Sequence, residues 1–471
     1  MWVSYSCHLR RLTFACVAVA SVLSAPAADA QLASRPAAAV SAADGGDLEA
    51  LISHAISVSP TIAAARHRVD AARARVGPAG ARPDPKLMAG IQNQPLGREA
   101  PATFAHGVPT GGPDPMTMHV AGISQTIPYP GKLALRTQAA ERDVEAATAT
   151  LEDAQLGVIR DVRAAYYELA YLDQALAITE QSRGLLSNII QVTESHYAVG
   201  SGTQQDILKA RLAISQLAQS ANALQEQRRA QVAALNALLD RTSDTPIDSV
   251  RIPHRVARAA VPDSAGQIRF ASNLFGAAAA DSPLPPLATL QAMASGNNAM
   301  LRAHEARIAA QTSRLALAER ATKPDVDVSL QYGQRSGLTD MVSAIVSIPL
   351  PIQHRRAQDE DVAAARAELS ALEAEHHETV NELGARVAKL YADIERQRTQ
   401  LALDVKSILP QGRAALAAAT ASYQTSKTDI LTLLDSQSSL FTYEISYYRA
   451  LSDFAETLAE LEDVVGKEVL P

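Results

Sequence analysis

The chain contains two copies of one sequence pattern. Tyr197 and Tyr423 lie 226 residues apart, and at the same separation residues 207–211 (Ile-Leu-Lys-Ala-Arg) match residues 433–437 (Leu-Leu-Asp-Ser-Gln). Repetition of this kind indicates that one structural unit occurs twice in the chain. The chain is therefore predicted to fold as a duplicated unit and not as a set of unrelated domains.

The same order holds upstream of these segments. Residues 127–128 (Ile-Pro) match residues 348–349 at a separation of 221, and residues 83–84 (Pro-Asp) match residues 324–325 at a separation of 241. The separations differ, so each copy carries its own insertions. Between the copies the pattern gives way to Pro, Ala, Ser and isolated charges, which are typical of irregular chain.

These boundaries define the predicted domains. A first structural repeat covers residues 31–241 and a second covers residues 287–471, with an irregular linker at residues 242–286 between them. Each repeat is predicted to follow the order helix, strand, strand, helix. The fold class is therefore mostly α, with β-strands in each repeat.

Each repeat contains two strand-like segments, near residues 86–92, 116–127, 325–332 and 341–349. Apolar side chains alternate with polar ones most clearly in the third segment, at Val326, Val328, Leu330 and Tyr332. This period of two gives a strand one apolar and one polar face, as a membrane β-barrel needs. An ordinary soluble hairpin has the same alternation, and the pattern alone leaves both open.

The remaining segments are predicted to be helices. In the first repeat they cover residues 48–76, 132–197 and 204–240, and in the second residues 287–321, 353–423 and 429–465. A helix over residues 132–197 would be about 100 Å long at 1.5 Å per residue. Gly184 and Pro410, both helix-breaking residue types, occupy matching positions, and the helix of the second repeat is predicted to break at Pro410.

One helix carries a heptad seam. Apolar residues in the segment 204–240 step by alternating three and four, at Ile207, Ala210, Ile214, Leu217, Ala221 and Leu224. This spacing indicates a neighbouring helix along one side. Arg228 interrupts the seam, and the packing is predicted to change there or to meet solvent.

The N-terminus is predicted to be a signal peptide of residues 1–30. Arg10 and Arg11 precede a short apolar stretch, and Ala28 and Ala30 provide the small residues of a cleavage site. Both cysteines of the chain lie within this segment, so the mature protein would have no thiol chemistry. No later segment has the eighteen-odd apolar residues of a membrane helix.

A membrane-embedded form of this exported chain would therefore use its strands. Four strands cannot close a spanning barrel, for which about eight are needed. The protein would have to oligomerise. Three copies would give twelve strands and two copies eight, and the sequence leaves the number open.

Composition and motifs exclude several other functions. The formal net charge of −7 has both signs interspersed, which argues against nucleic acid as a partner. Aromatic residues make up only 4% of the chain, which suits long thin helices better than a large enzyme core. No catalytic or phosphate-binding motif is present, so neither an enzyme nor a cofactor is predicted. Met116, Met118 and His119 are interpreted as ordinary strand residues, and no metal site is predicted.

Three segments carry a resemblance to a known family. Residues 124–132 (Ser-Gln-Thr-Ile-Pro-Tyr-Pro-Gly-Lys), residues 197–210 and residues 423–437, in this order along the chain, resemble the outer-membrane efflux channel family typified by TolC. The resemblance implies a homotrimer, with a twelve-stranded outer-membrane β-barrel continuous with a twelve-helix periplasmic α-barrel. It also implies the exit duct of a tripartite pump, coupled through a periplasmic adaptor (membrane fusion) protein to an inner-membrane efflux transporter. Metal ions and drug-like compounds are the expected cargo.

The resemblance also implies two functional regions. The helix tips that meet the adaptor correspond to Val199, Gly200, Ser201, Gly202, Thr203, Ser426, Lys427 and Thr428. The periplasmic aperture corresponds to Asp435, with Asp206, Asp429 and Thr432 near it. Two positions depart from the family, which favours Gly at Ser426 and an acid at Thr432. Simple turn chemistry would also explain the tips, and a solvated helix face would explain the acids.

A different class of protein remains as an alternative. Long helical hairpins also occur in soluble periplasmic coiled-coil adaptors and scaffolds. Those proteins have one hairpin with flanking β-domains, whereas this chain duplicates the whole unit. An uncovered apolar stripe on the strands would distinguish the channel from the scaffold.

Overall fold

The computed structural model describes residues 48–93, 103–105, 108–110, 117–261, 284–335, 338–350, 356–425 and 427–470, all within one compact unit of residues 45–471. The predicted signal peptide, Met116 and Ser426 lie outside the described residues. The described part of the chain is mostly helical.

The described part of the first repeat contains four helices, and the third is very long. They are α1 (Leu48–Val58), α2 (Pro60–Gly80), α3 (Lys132–Ala198) and α4 (Gln204–Leu238). At 67 residues, α3 spans about 100 Å. The predicted helix over residues 132–197 is confirmed, and Gly184 lies inside α3 without interrupting it. A single glycine weakens a helix by only about 1 kcal/mol, which packing along the rest of α3 offsets.

The second repeat has the same order of helices. They are α6 (Leu287–Asn297), α7 (Ala299–Glu319), α8 (Gln358–Leu403), α9 (Leu409–Gln424) and α10 (Ile430–Val465). Between α8 and α9 the chain makes a π-helical turn at Asp404–Ile408, and Pro410 lies in the first turn of α9. The helix is thus interrupted by a π-helical turn just before Pro410. Pro410 itself lies in the first turn of α9, where its missing N–H is tolerated.

Both repeats begin with a bent helix pair. The predicted single helix over residues 48–76 is wrong, because α1 and α2 meet at Ser59 with a bend of 46°. Ser59 caps α2 by accepting a hydrogen bond from the N–H of Ile62 at 3.4 Å. In the second repeat the predicted single helix over residues 287–321 is wrong as well, because Asn298 separates α6 from α7. The Asn298 side chain accepts from the Leu301 N–H at 3.1 Å. At both positions a polar side chain accepts a free backbone N–H of the following helix, so a new helix begins there.

The linker between the repeats is not wholly irregular. A short helix, α5 (His254–Ala260), lies within it, and Val256 and Ala260 are buried in the core. The Arg398 guanidinium on α8 donates to the Ala259 carbonyl at 3.1 Å. These contacts fasten the described part of the linker to the helices of the second repeat.

Four long strands form one antiparallel sheet. They are β1 (Lys86–Gln92), β4 (Met118–Ile127), β5 (Val326–Arg335) and β6 (Met341–Ser347), in the spatial order β1-β4-β5-β6. The central pair joins the two repeats. Two short strands, β2 (Thr103–Ala105) and β3 (Val108–Thr110), make a separate hairpin. Among the described residues, the outer edges of β1 and β6 pair with no strand.

The large sheet has one apolar face, which is exposed. In the register, Leu330 of β5 lies opposite Ile123 of β4 and Ala344 of β6, so these side chains share a face. Leu87 is 85% exposed and Val342 is 70% exposed on this face. Its other exposed large apolar members are Ile91, Ile123, Ile127, Val328, Leu330, Tyr332 and Val346. The opposite face is mainly polar or small, with Ser124, Thr126, Asp327, Ser329, Gln331 and Ser343.

A buried lysine fixes the joint between sheet and helices. Lys132 begins α3 after a four-residue connection from β4, and its side chain is 8% exposed. Its ammonium donates to the Asp325 carboxylate at 2.8 Å and to the Lys323 carbonyl at 2.7 Å. The N–H of Tyr129 donates to the same carboxylate at 2.8 Å. Because Asp325 directly precedes β5, these bonds tie the first repeat to the second where strands become helices.

The main hydrophobic core lies around the middle of the long helices. It includes Val162 and Leu169 of α3, Ile394 of α8, and Phe454 and Leu461 of α10, each at most 1% exposed. Inside it the Arg163 guanidinium donates to the Glu462 carboxylate at 2.6 Å, and both side chains are buried. In the described part of the chain no single helix is long and apolar enough to cross a membrane, and α1 and α2 pass that test only when taken together.

Candidate functional site

The two helical hairpins turn at the same end of the molecule. The first turn joins α3 to α4, and the second joins α9 to α10. The Tyr423 hydroxyl donates to Thr193 Oγ1 at 2.9 Å, and the Tyr423 ring lies 5.1 Å from the His196 ring. A buried cluster beneath the turns contains Leu186, Ile189, Leu217, Ala419, Tyr423, Ile430 and Leu433. The described members of the two tips predicted from the sequence therefore lie together.

The first tip is a glycine-dependent turn. Gly200 has φ of +77°, its N–H donates to the Tyr197 carbonyl at 3.0 Å, and the Ser201 N–H donates to the His196 carbonyl at 2.9 Å. This pair of bonds is a Schellman motif, which closes a helix C-terminus with a left-handed residue. Val199 follows the last helical residue and is 78% exposed. The motif therefore presents an apolar side chain at the very end of the hairpin.

A capping box starts α4 after this turn. Thr203 Oγ1 accepts from the Asp206 N–H at 3.3 Å, and the Asp206 carboxylate accepts from the Thr203 N–H at 3.0 Å. The two residues satisfy each other's backbone donors at the helix start. Asp206, predicted to lie at the aperture, therefore has a structural role in the cap.

We expect Thr203→Ala to loosen the first turn of α4. Loss of the Oγ1 acceptor costs about 1 kcal/mol for a helix N-cap. Amide hydrogen exchange in that turn should then become roughly fivefold faster, since local opening becomes easier. Thr203→Ser keeps the acceptor and is the matched control. Equal exchange rates in the two variants would show that the cap does not hold the turn.

The second tip is built similarly but is polar. The Lys427 N–H donates to the Ser422 carbonyl at 2.9 Å after α9 ends. Thr428 is half-buried, and Asp429 caps α10 by accepting from the N–H of Thr432 at 3.0 Å and from its hydroxyl at 2.7 Å. The hydrogen bond from the Thr432 hydroxyl has the largest effect on the Asp429 carboxyl, followed by the bond from the Thr432 N–H. Together they hold the pKa of Asp429 below its usual value. Thr432 thus supports Asp429, while Ser426 lies outside the described residues.

Asp435 differs from the other predicted aperture residues. Its carboxylate is exposed and forms no hydrogen bond or ion pair within the described ranges. It lines a groove of about 700 Å³ between α4 and α10. The groove wall also includes Lys209, Leu212, Leu217, Leu431 and Phe441. The structure therefore brings Asp435 and Thr432 to one groove near the tips and leaves Asp206 and Asp429 in the helix caps.

Sequence reasoning missed two features of this end. Lys209 lines the groove beside Asp435 but was not singled out. The separation of 226 residues already places Lys209 on Asp435, so the repeat alignment contained that signal. The contact of Tyr423 with Thr193 and His196 crosses between repeats, and no spacing in the sequence encodes it.

Comparison with solved structures identifies the fold. The chain resembles the outer-membrane channel OprN at 18% identity with a TM-score of 0.70, over 90% of this chain and 91% of that chain. It also resembles the outer membrane protein VceC from Vibrio cholerae at 19% identity with a TM-score of 0.70, over 90% of this chain and 96% of that one. The fold is therefore that of outer-membrane channel proteins.

Sequence comparison identifies the family. The profile of the Outer membrane efflux protein family matches residues 51–241 and 290–467, and the chain belongs to this family of channel proteins. Nodulation protein T from Rhizobium leguminosarum bv. trifolii is 21% identical over 344 residues, which cover 71% of this chain and 68% of that protein. The family predicted from the tyrosine-containing turns is confirmed.

Proposed function

We propose that the chain is one subunit of a trimeric exit duct, which conducts solutes passively through the periplasm and across the outer membrane. The exposed apolar face of the sheet is the observation that carries this proposal. Leu87 and Val342 lie on the outer strands of that face with 85% and 70% of their surface exposed. A protein surrounded by water on both faces of a sheet has no reason to display such a surface, whereas lipid would cover it.

The open sheet edges support the oligomer. An unpaired edge in lipid leaves backbone N–H and C=O groups without partners, each at a cost of several kcal/mol. Pairing β6 of one copy with β1 of the next satisfies both edges. Three copies then give a barrel of about twelve strands, within the range seen for spanning barrels. The long helices α3 and α8–α9, with the shorter helices α2 and α4 packed on the first and α7 and α10 packed on the second, would make four helical columns per copy. Three copies would then continue from that barrel as a twelve-helix periplasmic tunnel.

The tips would connect this duct to the rest of a pump. We assign contact with a periplasmic adaptor protein to residues 199–203 and 426–428, where Val199 is exposed at the end of the first hairpin. The groove containing Asp435 would form the narrow end, with Thr432, Asp206 and Asp429 next to it. An inner-membrane transporter would supply the cargo, such as metal ions or drug-like compounds. The signal peptide of residues 1–30 and the two repeats, 31–241 and 287–471, belong to the same proposal.

Reconstitution into a planar lipid bilayer tests the proposal. The mature protein, purified in detergent, should produce discrete conductance steps, and cross-linking should yield a trimer. A heat-unfolded sample of the same preparation is the control. A protein that stayed soluble without detergent and gave no steps would instead be a periplasmic adaptor or scaffold.

A further inference from the structure

Lys209 and Asp435 occupy equivalent positions in the two repeats. Each lies six residues after the N-cap residue of its helix, Thr203 for α4 and Asp429 for α10. The duplication has therefore placed opposite charges at one register position of two matching helices. Both side chains line the same groove between α4 and α10.

Neither side chain forms an ion pair at contact distance within the described part of one protomer. Lys209 is half-buried and Asp435 is exposed, and neither forms an ion pair with another described residue. The ammonium of Lys209 lies close enough to Asp429 to contribute, after the hydrogen bonds from Thr432, to the lowered pKa of that carboxyl. Its field therefore reaches the region where the aperture acids lie.

The negative charges of Asp206 and Asp429, the other two acids at this end, are compensated by the N-termini of their own helices. The Asp206 carboxylate accepts the Thr203 N–H, and the Asp429 carboxylate accepts the Thr432 N–H. The partial positive charge of a helix N-terminus favours and screens a carboxylate in this position. Lys209 and Asp435 are the two charged side chains that line the groove.

We propose that Lys209 is the counter-charge of Asp435, so that the narrow end of the duct carries alternating lysines and aspartates and has little preference for cations. This inference rests on the proposed trimeric duct. Three copies bring three of each residue, on helices that alternate around the axis. Within each protomer the two side chains line one groove, so each aspartate would have a lysine across that groove as its counter-charge.

Reversal potentials measured in a bilayer with a salt gradient test this inference. The wild-type channel should be weakly selective. Lys209→Gln exposes a purely acidic ring, so its cation-to-anion permeability ratio should rise by a factor of about three. Asp435→Asn should shift the ratio in the opposite direction. The swapped variant Lys209→Asp/Asp435→Lys restores the alternation and should return the ratio to the wild-type value.

Arg211→Gln is the matched control. Arg211 lies two residues from Lys209 on the same helix, but its guanidinium pairs with Glu194 of α3 at 2.9 Å. The control removes the same charge at the same depth, away from the groove, and should leave the ratio unchanged. If the channel conducts but Lys209→Gln behaves like Arg211→Gln, the inference is wrong and the duct stands. If the wild-type protein gives no steps, the duct and the inference fall together.

Discussion

An Arg163→Met variant is expected to lose about 3 kcal/mol of unfolding free energy at about pH 8, the cost of leaving one member of a buried ion pair without its partner. Arg163 donates to Glu462 at 2.6 Å inside the main core, and both side chains are at most 10% exposed. Methionine fills the volume of the arginine stem but leaves the Glu462 carboxylate without the guanidinium. Urea unfolding in detergent, followed by far-ultraviolet circular dichroism, measures the loss.

The loss should be smaller at about pH 5. Burial raises the pKa of Glu462 above its usual value, and Arg163 opposes that rise. A carboxyl whose pKa is raised on folding lowers the free energy of unfolding once it ionises. This loss of stability is absent below the pKa of the group in the unfolded chain and complete above its pKa in the folded protein. Without Arg163 the folded pKa of Glu462 rises further, so a larger fraction of the carboxyl is protonated and neutral at the lower pH. The variant should therefore recover stability as the pH falls.

Two further variants separate the pair from its surroundings. Arg163→Met/Glu462→Met removes both charges and should cost only about 1 kcal/mol, because it gives up the hydrogen bond from Val469 to Glu462 and a contact with the exposed Glu468, which keeps Arg255 as a partner. Arg142→Met breaks an exposed pair with Glu145 and should cost less than about 0.5 kcal/mol. If Arg163→Met were no more costly than Arg142→Met, the buried pair would have no special importance.

A Leu330→Arg variant is expected to be nearly absent from the outer membrane. Leu330 lies in the middle of β5 on the exposed apolar face, with 52% of its surface exposed. An arginine facing lipid at the centre of a barrel strand costs about 2–4 kcal/mol, and a trimer would incur that cost three times. Membrane fractionation followed by detection of the heat-sensitive trimer measures the result.

Gln331→Arg is the matched control for this variant. Gln331 is the next residue on the same strand, and its side chain lies on the polar face opposite Gly122 and Ser343. The same charge should be accepted there, because that face would border water. Equal membrane levels of the two variants would contradict the assignment of the apolar face to lipid.

Periodicity predicted most of the regular elements. The seam on α4 is a useful case, since Ala210 and Leu217 are buried and the intervening Arg211 and Leu212 are exposed. Strand alternation likewise predicted the two faces of β5. These patterns repeat over many residues, so single deviations do not hide them.

Local caps and long-range polar contacts were not predictable in the same way. The bends at Ser59 and Asn298 depend on single side chains inside continuous helical patterns. Arg228 interrupts the heptad seam because it pairs with Asp173 at 2.6 Å and with the Ile247 carbonyl at 3.0 Å, neither of which the spacing reveals. The site was predictable at its turns, where Gly200 and Thr203 have characteristic chemistry, but not in its cross-repeat contacts.

The two unpaired edges of the sheet also have a genetic consequence. In the proposed trimer, β1 and β6 of each subunit complete the sheets of its two neighbours. A cell that makes normal and edge-defective chains in equal amounts would assemble only about one fully normal trimer in eight. Damage to either edge strand would therefore act dominantly over a normal copy of the gene, whereas damage confined to a subunit's own core would remain recessive.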